Sequence, residues 1–399
     1  LGTDFGSIIS LGIGPIVMAS IILQLLVGSG LINIDTKTDE GKKYFQGLQK
    51  LGVLFFIVFE AIVYVVMGGI DAISGYTSIV IFQLILGGLA IMFMDEVVAK
   101  WGFGSGVSLF IVAGVALQLF IGLFQFVGAD GGNCLLDFEN TPCSGRILVI
   151  IQSVINGDPT GALLALAVIL VTILVFLSVV WAQSLKVEIP LSYDRIRGYG
   201  VKWPLQFFYS STLPVILVAA LIANLQLFGT LLETWLGHPT ILGGFQNGQP
   251  ISGFAYWVAA PNLLQGALTG SLLGANVIQA IGHLLFYLVF SMLFSVFWVK
   301  TTGMDASSQA RNIISSGLQL PGFRKDPRVL ESILSRYILP LTIMGGLAIG
   351  ALAAFADLLG ALTSGTAILL AVMILYQLYQ NIAQQHALDM HPALRKMMG

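Results

Sequence analysis

The sequence predicts an all-α polytopic membrane protein, a bundle of apolar helical spans. Three observations carry that prediction. Of 399 residues, 56% are hydrophobic and 10% charged, with a mean hydropathy of +0.90, against about 25% charged in soluble domains. The apolar residues fall in long runs, and a helical span needs about 20 of them. The basic residues collect in alternate joints between the runs, as a chain threading back and forth across a bilayer requires.

Nine runs fit a span: 14–28, 48–68, 76–94, 107–127, 161–184, 208–228, 276–299, 337–356 and 364–385. One set of joints holds Lys37, Lys42, Lys43, Lys50, Lys100, Lys186, Arg195, Arg197, Lys202, Lys300, Arg311, Arg324, Lys325, Arg328 and Arg336, and the tail adds Arg395 and Lys396. The other set holds only Arg146. With 18 basic residues in all, this asymmetry marks the rich side as cytoplasmic. The chain is then expected to start outside, run inward through its first span and end in the cytoplasm.

The first run, Leu11–Gly30, opens with Gly12, Gly14 and Pro15, residues suited to a bend or a helix start. Ile13 and Val17 follow four apart, on one helical face. The fourth run repeats the device. Gly102, Gly104 and Gly106 lead into Val107 and Ile111, again four apart. Aliphatic residues at this spacing are ordinarily core or lipid-facing, and the lining of a passage is the alternative. A weak internal repeat is present, because Pro15 and Pro214 each precede an aliphatic run, with Val17 and Ile216 two residues further on. The two spans run in opposite directions, as in inverted-repeat membrane proteins.

The joints differ in kind. Loops 185–207 and 300–336 are long, cytoplasmic and basic, beyond what topology needs, and suit docking on anionic lipid or RNA. Segment 229–279 has no Lys or Arg and reads as an irregular outer cap. Cys134 and Cys143 share one outer loop, either as two thiols or as a disulfide. No Cys/His metal pattern occurs.

Glu60 is the one charge well inside a run, and an ionisable residue there is functional by default. Asn224 is the candidate partner from another span. His283 has no Ser or Asp neighbour in a recognisable catalytic arrangement, and no phosphate-binding loop occurs. Such sparse polarity disfavours ion-coupled transporters, pumps and intramembrane proteases. It fits a conduit closed by a hydrophobic constriction.

The strings GIGPIVMASIILQLLVGSG, FGSGVSLFI, KVEIPLSYDRIRG, STLPVILVAALIANLQLFG, WVKTTGMD and PGFRK resemble the SecY family, in order and over essentially the whole chain. The wording is closer to the archaeal branch than to the eukaryotic homologue. The resemblance implies a passive protein-conducting channel, not an enzyme, built as a bundle of two inverted halves. It translocates secretory chains and releases transmembrane segments sideways. A small-solute secondary transporter is the alternative. Ten spans are implied where nine are visible, so one span and part of a plug are expected to precede Leu1. Residues 1–13 would be the plug remainder, hinged at Gly12 and Gly14, with 14–156 the rest of the first half and 157–399 the second. A hydrophobic pore ring is implied at Ile13, Val17, Val107, Ile111, Ile216 and Leu370. Glu60 and Asn224 match polar positions of a lateral gate, and Met18 stands where the family often has a hydroxyl. Arg195, Arg197, Arg324 and Lys325 match ribosome-docking tips. The implied partners are SecE (the gamma subunit), a small beta subunit, the ribosome and signal-recognition-particle pathway, translocating polypeptides with signal sequences, and membrane lipids. No cofactor or metal is implied. The implied location is the plasma membrane, or the endoplasmic reticulum for a eukaryotic homologue.

Overall fold

The computed structural model describes residues 7–34, 39–66, 70, 73, 75–102, 106–128, 132–136, 141–193, 200–210, 213–246, 249–319 and 326–390. In chain order the helices are α1 (Gly14–Gly28), α2 (Asp39–Val66), α3 (Thr77–Trp101), α4 (Gly106–Phe124), α5 (Arg146–Ile155) and α6 (Pro159–Ser184). Strands β1 (Lys186–Tyr193) and β2 (Gly200–Gln206) precede α7 (Leu213–Leu236). Strands β3 (Gly244–Gln246) and β4 (Gln249–Ser252) and helices α8 (Gly253–Val258) and α9 (Leu263–Thr269) follow. Then come α10 (Gly274–Thr301), α11 (Ala306–Ser315), β5 (Leu318–Gln319), α12 (Pro327–Leu358) and α13 (Gly365–Met390).

Among the described residues, 8 helices are long and apolar enough to cross a membrane. The ninth predicted span, α1, is apolar but only 15 residues long. At 1.5 Å per residue it covers about 22 Å, short of a hydrocarbon core of about 30 Å. Its start is fixed by backbone chemistry. Gly12 has φ +54°, Pro15 lies in the first helical turn, and residues 7–13 run as turns. Other helices outrun their apolar stretches, because hydropathy marks the lipid-facing part and not the helix. Thus α2 begins at Asp39 and α12 at Pro327, each with polar turns at its start.

The chain forms two compact units, Leu1–Gly114 with Ile374–Gly399, and Val115–Met373. These units follow from packing, whereas the sequence halves follow from the inverted repeat. The first unit buries Leu11, Ile16 and Ala19 against Val53, Ile57 and Ala61 of α2 and Leu84 and Ile91 of α3. Glycines permit the closest approaches. A Cβ on Gly88 would stand 2.8 Å from Ile57, and one on Gly87 would run into the Ile8 carbonyl oxygen.

In the second unit, α6, α7, α10, α12 and the start of α13 enclose a core around Val179, Val218, Ile349 and Leu369. Here α10 and α12 meet through small residues. Ser291 Oγ donates to Gly346 O at 2.7 Å and Ser295 Oγ to Thr342 O at 2.9 Å. The described parts of the two basic loops form strands and helix. β1 and β2 form an antiparallel hairpin, and β5 from the second loop adds to β1, with Ser192 opposite both Gly200 and Gln319. Tyr209 on one side donates to Met304 O at 2.7 Å, and burial pushes its hydroxyl pKa up to about 12. Segment 229–279, expected as an irregular cap, is also built. It continues α7, forms the β3–β4 hairpin, and seats α8 with Ala255 and Val258 buried.

Candidate functional site: aliphatic ring, gate and docking tips

The six ring positions are Ile13 and Val17 on α1, Val107 and Ile111 on α4, Ile216 on α7 and Leu370 on α13. All are half-buried. The first four belong to the first unit, and Ile216 and Leu370 to the second. Ile13 and Val107 both pack against the apolar cluster of the first unit. Val17 lies between buried Ile16 and Ala19. In the second unit, Ile216 follows buried Val215 and Leu370 follows buried Leu369, yet neither joins the core.

The starts of α4 and α13 are held by carboxylates from the helix before each. Asp95 Oδ1 of α3 accepts the Val107 N–H at 2.8 Å. Asp357 Oδ1 of α12 accepts the Gly365 N–H at 2.6 Å. Free N–H groups and the positive end of the helix dipole make a carboxylate favourable there. Asp95 and Asp357 were not singled out from the sequence. A usable signal existed, an aspartate near the end of one apolar run before a glycine opening the next.

The sequence offers His283 no Ser or Asp in a recognisable catalytic arrangement; in the fold, Asp357 Oδ2 lies 4.0 Å from its Nε2. His283 Nδ1 is 2.6 Å from the Val258 carbonyl oxygen. A carbonyl oxygen only accepts, so Nδ1 carries the proton. The Tyr287 ring lies tilted at 50° to the imidazole, with centroids 4.8 Å apart. The group ties α8, α10 and α12 together. Nothing in it is a nucleophile paired with a base.

Glu60 is half-buried, and its Oε2 lies 3.4 Å from where a Cβ on Gly14 would stand. Asn224 Nδ2 donates to Ala220 O at 2.8 Å in its own helix. Glu60 belongs to the first unit and Asn224 to the second. Met18 is half-buried on α1. A neighbouring polar contact joins α1 to α2, where Gln49 Nε2 donates to Ser20 Oγ at 2.7 Å.

Arg195, Arg197, Arg324 and Lys325 lie outside the described residues. The strand ends that flank them are described, and all belong to one sheet, in the order β2-β1-β5. Cys134 and Cys143 are joined as a disulfide, with Cα atoms 5.3 Å apart. Gln152 of α5 braces that loop, accepting from Cys143 N at 2.9 Å and donating to Thr141 O at 2.9 Å. Among the described residues, no three His, Cys, Asp or Glu side chains are grouped as metal ligands.

The family model for SecY matches residues 7–379. The chain belongs to the SecY family. It is 42% identical to the protein translocase subunit SecY of Pyrococcus furiosus, over 99% of this chain and 85% of that one. With the SecY of Methanococcus vannielii the identity is 40%, over 100% of this chain and 85% of the relative. Solved structures agree. A SecY structure, described with the role of its plug domain in stabilising the closed state of the translocation channel, superposes with a TM-score of 0.79 at 38% identity, covering 98% of this chain and 86% of that one. Sec61 from a canine ribosome–channel complex gives 0.76 at 37% identity, covering 97% and 84%. A membrane channel for protein translocation is therefore the function class. Nothing favours the small-solute transporter that a charge-poor composition also allows.

Proposed function

We propose that this SecY-family chain is itself the polypeptide path, a passive conduit that catalyses no covalent step. Unfolded secretory chains pass a ring of Ile13, Val17, Val107, Ile111, Ile216 and Leu370. A ring of aliphatic side chains grips no particular sequence, and when narrow and dry it disfavours hydrated ions. Apolar segments leave sideways past Glu60 and Asn224. Residues 1–13 act as the plug remainder, hinged at Gly12 and Gly14. SecE and a small beta subunit complete the complex. The ribosome, reached through the signal-recognition pathway, docks at Arg195, Arg197, Arg324 and Lys325 and supplies the work. The tail is cytoplasmic, and the membrane is the plasma membrane of an archaeal cell.

The observation that carries this reading is the half-burial of all six ring positions. Fully buried neighbours such as Ile16 and Leu369 are closed off in the core, whereas the ring positions keep part of their surface accessible. Left-handed Gly12 beside helix-opening Gly14 supports the hinge. The test is a stalled secretory chain carrying a crosslinking probe, offered to single cysteines at Val17 and Ile111. Crosslinks at both positions are expected. Labelling confined to outer-surface positions would remove the ring.

A further inference from the structure

The last pair of long helices in each sequence half uses the same device. In the first half α3, which runs on to Trp101, carries Asp95 in its last two turns, and Asp95 takes the Val107 N–H as α4 opens at Gly106. In the second half α12 ends with Asp357, which takes the Gly365 N–H as α13 opens there. Both opening glycines are pressed on the preceding helix. A Cβ on Gly106 would stand 2.6 Å from Asp95 Oδ1 and 2.8 Å from its Cα. One on Gly365 would stand 2.7 Å from Ala356 Cβ and run into the Ala353 carbonyl oxygen. Five residues beyond each glycine stands a ring position, Ile111 on α4 and Leu370 on α13. Five residues of helix place each ring side chain about 7.5 Å along the axis from its capped start.

We propose that Asp95 and Asp357 are paired positioning residues for the constriction, each fixing the axial height of one ring-bearing helix. This rests on the ring reading above. A carboxylate at a helix start holds the first free N–H groups and favours the dipole. Because each comes from the neighbouring helix, it locks one helix against the next, which a local capping residue would not. Lock and ring are linked through rigid helix, so a slip of one turn's fraction at the start reappears at Ile111 or Leu370. The second lock is further braced. Asp357 also faces His283, whose other nitrogen is bonded to Val258 O. The α12–α13 turn is held besides by Leu362 N–H to Thr172 Oγ1 at 3.0 Å and Thr363 Oγ1 to Gln118 Oε1 at 2.8 Å.

The test uses the assembled channel complex in membrane vesicles, with Asp95 or Asp357 changed to Asn or to Ala. Asparagine keeps an oxygen that can accept the N–H, and alanine keeps nothing. Amide exchange in peptides spanning Val107 and Gly365 reads the lock directly. Loss of one charge-assisted hydrogen bond is expected to speed exchange about tenfold or more in the alanine variants, with asparagine restoring most of the protection. Ring height is read separately, with a cysteine at Ile111 or Leu370 crosslinked to a ladder of cysteines along a stalled chain. The crosslink maximum is expected to move along the ladder in Asp95→Ala and Asp357→Ala and to return in the asparagine variants. Unchanged exchange in both alanine variants overturns the locks. Faster exchange with an unmoved maximum overturns the positioning role. If the parental cysteines at Ile111 and Leu370 give no crosslink at all, the ring reading fails, and with it the role assigned to the aspartates. Should the alanine variants not assemble, Asp95→Asn and Asp357→Asn decide: loss of protection there, with the acceptor kept, overturns the proposal.

Discussion

Glu60 of α2 reaches the opening residue of α1, where its Oε2 stands 3.4 Å from the Cβ position of Gly14. Glu60 and Gly14, proposed above as gate and hinge residues, are thus neighbours within one unit. Removing the carboxyl should shift the balance of gate states by about 1 kcal/mol, the scale of a polar contact between membrane helices. Glu60→Leu is expected to change translocation of weak signal sequences more than that of strong ones, and Glu60→Gln to do so less. Equal effects on both classes of signal, measured in a reconstituted translocation assay, would separate Glu60 from the gate.

Gly12 has φ +54° and nothing within 4 Å of its Cβ position. Substitution there meets no neighbour, so any cost is backbone strain alone. Gly12→Ala should destabilise the turn into α1 by about 1 kcal/mol. In a resting channel the expected result is faster amide exchange in the peptide preceding Pro15, with α2 and α3 unaffected. A spread of the effect into α2 would point to packing instead.

The α10–α12 seam has no room for larger residues. A Cβ on Gly350 would stand 2.9 Å from both Ser291 Cβ and Tyr287 O, and one on Gly346 would stand 2.8 Å from Ser295 Cβ. Gly350→Leu should cost about 1–3 kcal/mol through overpacking and lower the thermal midpoint in detergent. Gly114→Ala, with open space around it, is the control. It should leave the midpoint unchanged or raise it, since alanine is the better helix former.

The bundle was legible because bilayer-length apolar runs and one-sided basic residues are long-range patterns with few alternative causes. The helix ends were not, because the first turns of α2 and α12 are polar and carry no hydropathy signal. Ring positions such as Ile13 and Val107 could be placed on helices from spacing. Spacing alone could not part them from core residues such as Ile16 and Ile57, which share their chemistry and differ only in burial. His283 and Asp357 meet because α10 and α12 pack side by side, and nothing local to either residue announces it. The β2–β1–β5 sheet was hidden for the same reason, since its strands come from two loops with five helices between them.

Glu188 accepts from Lys202 at 2.8 Å across the hairpin. That hydrogen bond, together with the lysine charge, holds the Glu188 carboxyl below its usual range. A depressed carboxyl supports the fold above its unfolded pKa and loses that support as pH falls through its folded one. The pair is exposed, so the effect is small. Amide exchange in β1 should be slightly slower in the native chain than in Glu188→Gln at neutral pH, and the two should converge in acid. A difference that persists in acid would assign the protection to packing of the strand rather than to charge.

The strand ends next to positions 194–199 and 320–325 in the sequence pair in one sheet, where Ser192 lies opposite Gly200 and Gln319. In sequence Arg195 and Arg197 follow β1, and Arg324 and Lys325 follow β5; the proposed docking role has a salt signature. Phosphate contacts by basic side chains release counterions and make binding fall with salt. Arg324→Glu should therefore weaken binding of ribosomes to the reconstituted channel and flatten the salt dependence of what remains. Arg195→Glu should do the same, and the double variant should lose less than the sum of the two if one contact patch is shared. Binding that is unchanged in Arg324→Glu, or a salt slope that stays as steep, would remove the docking role from these tips.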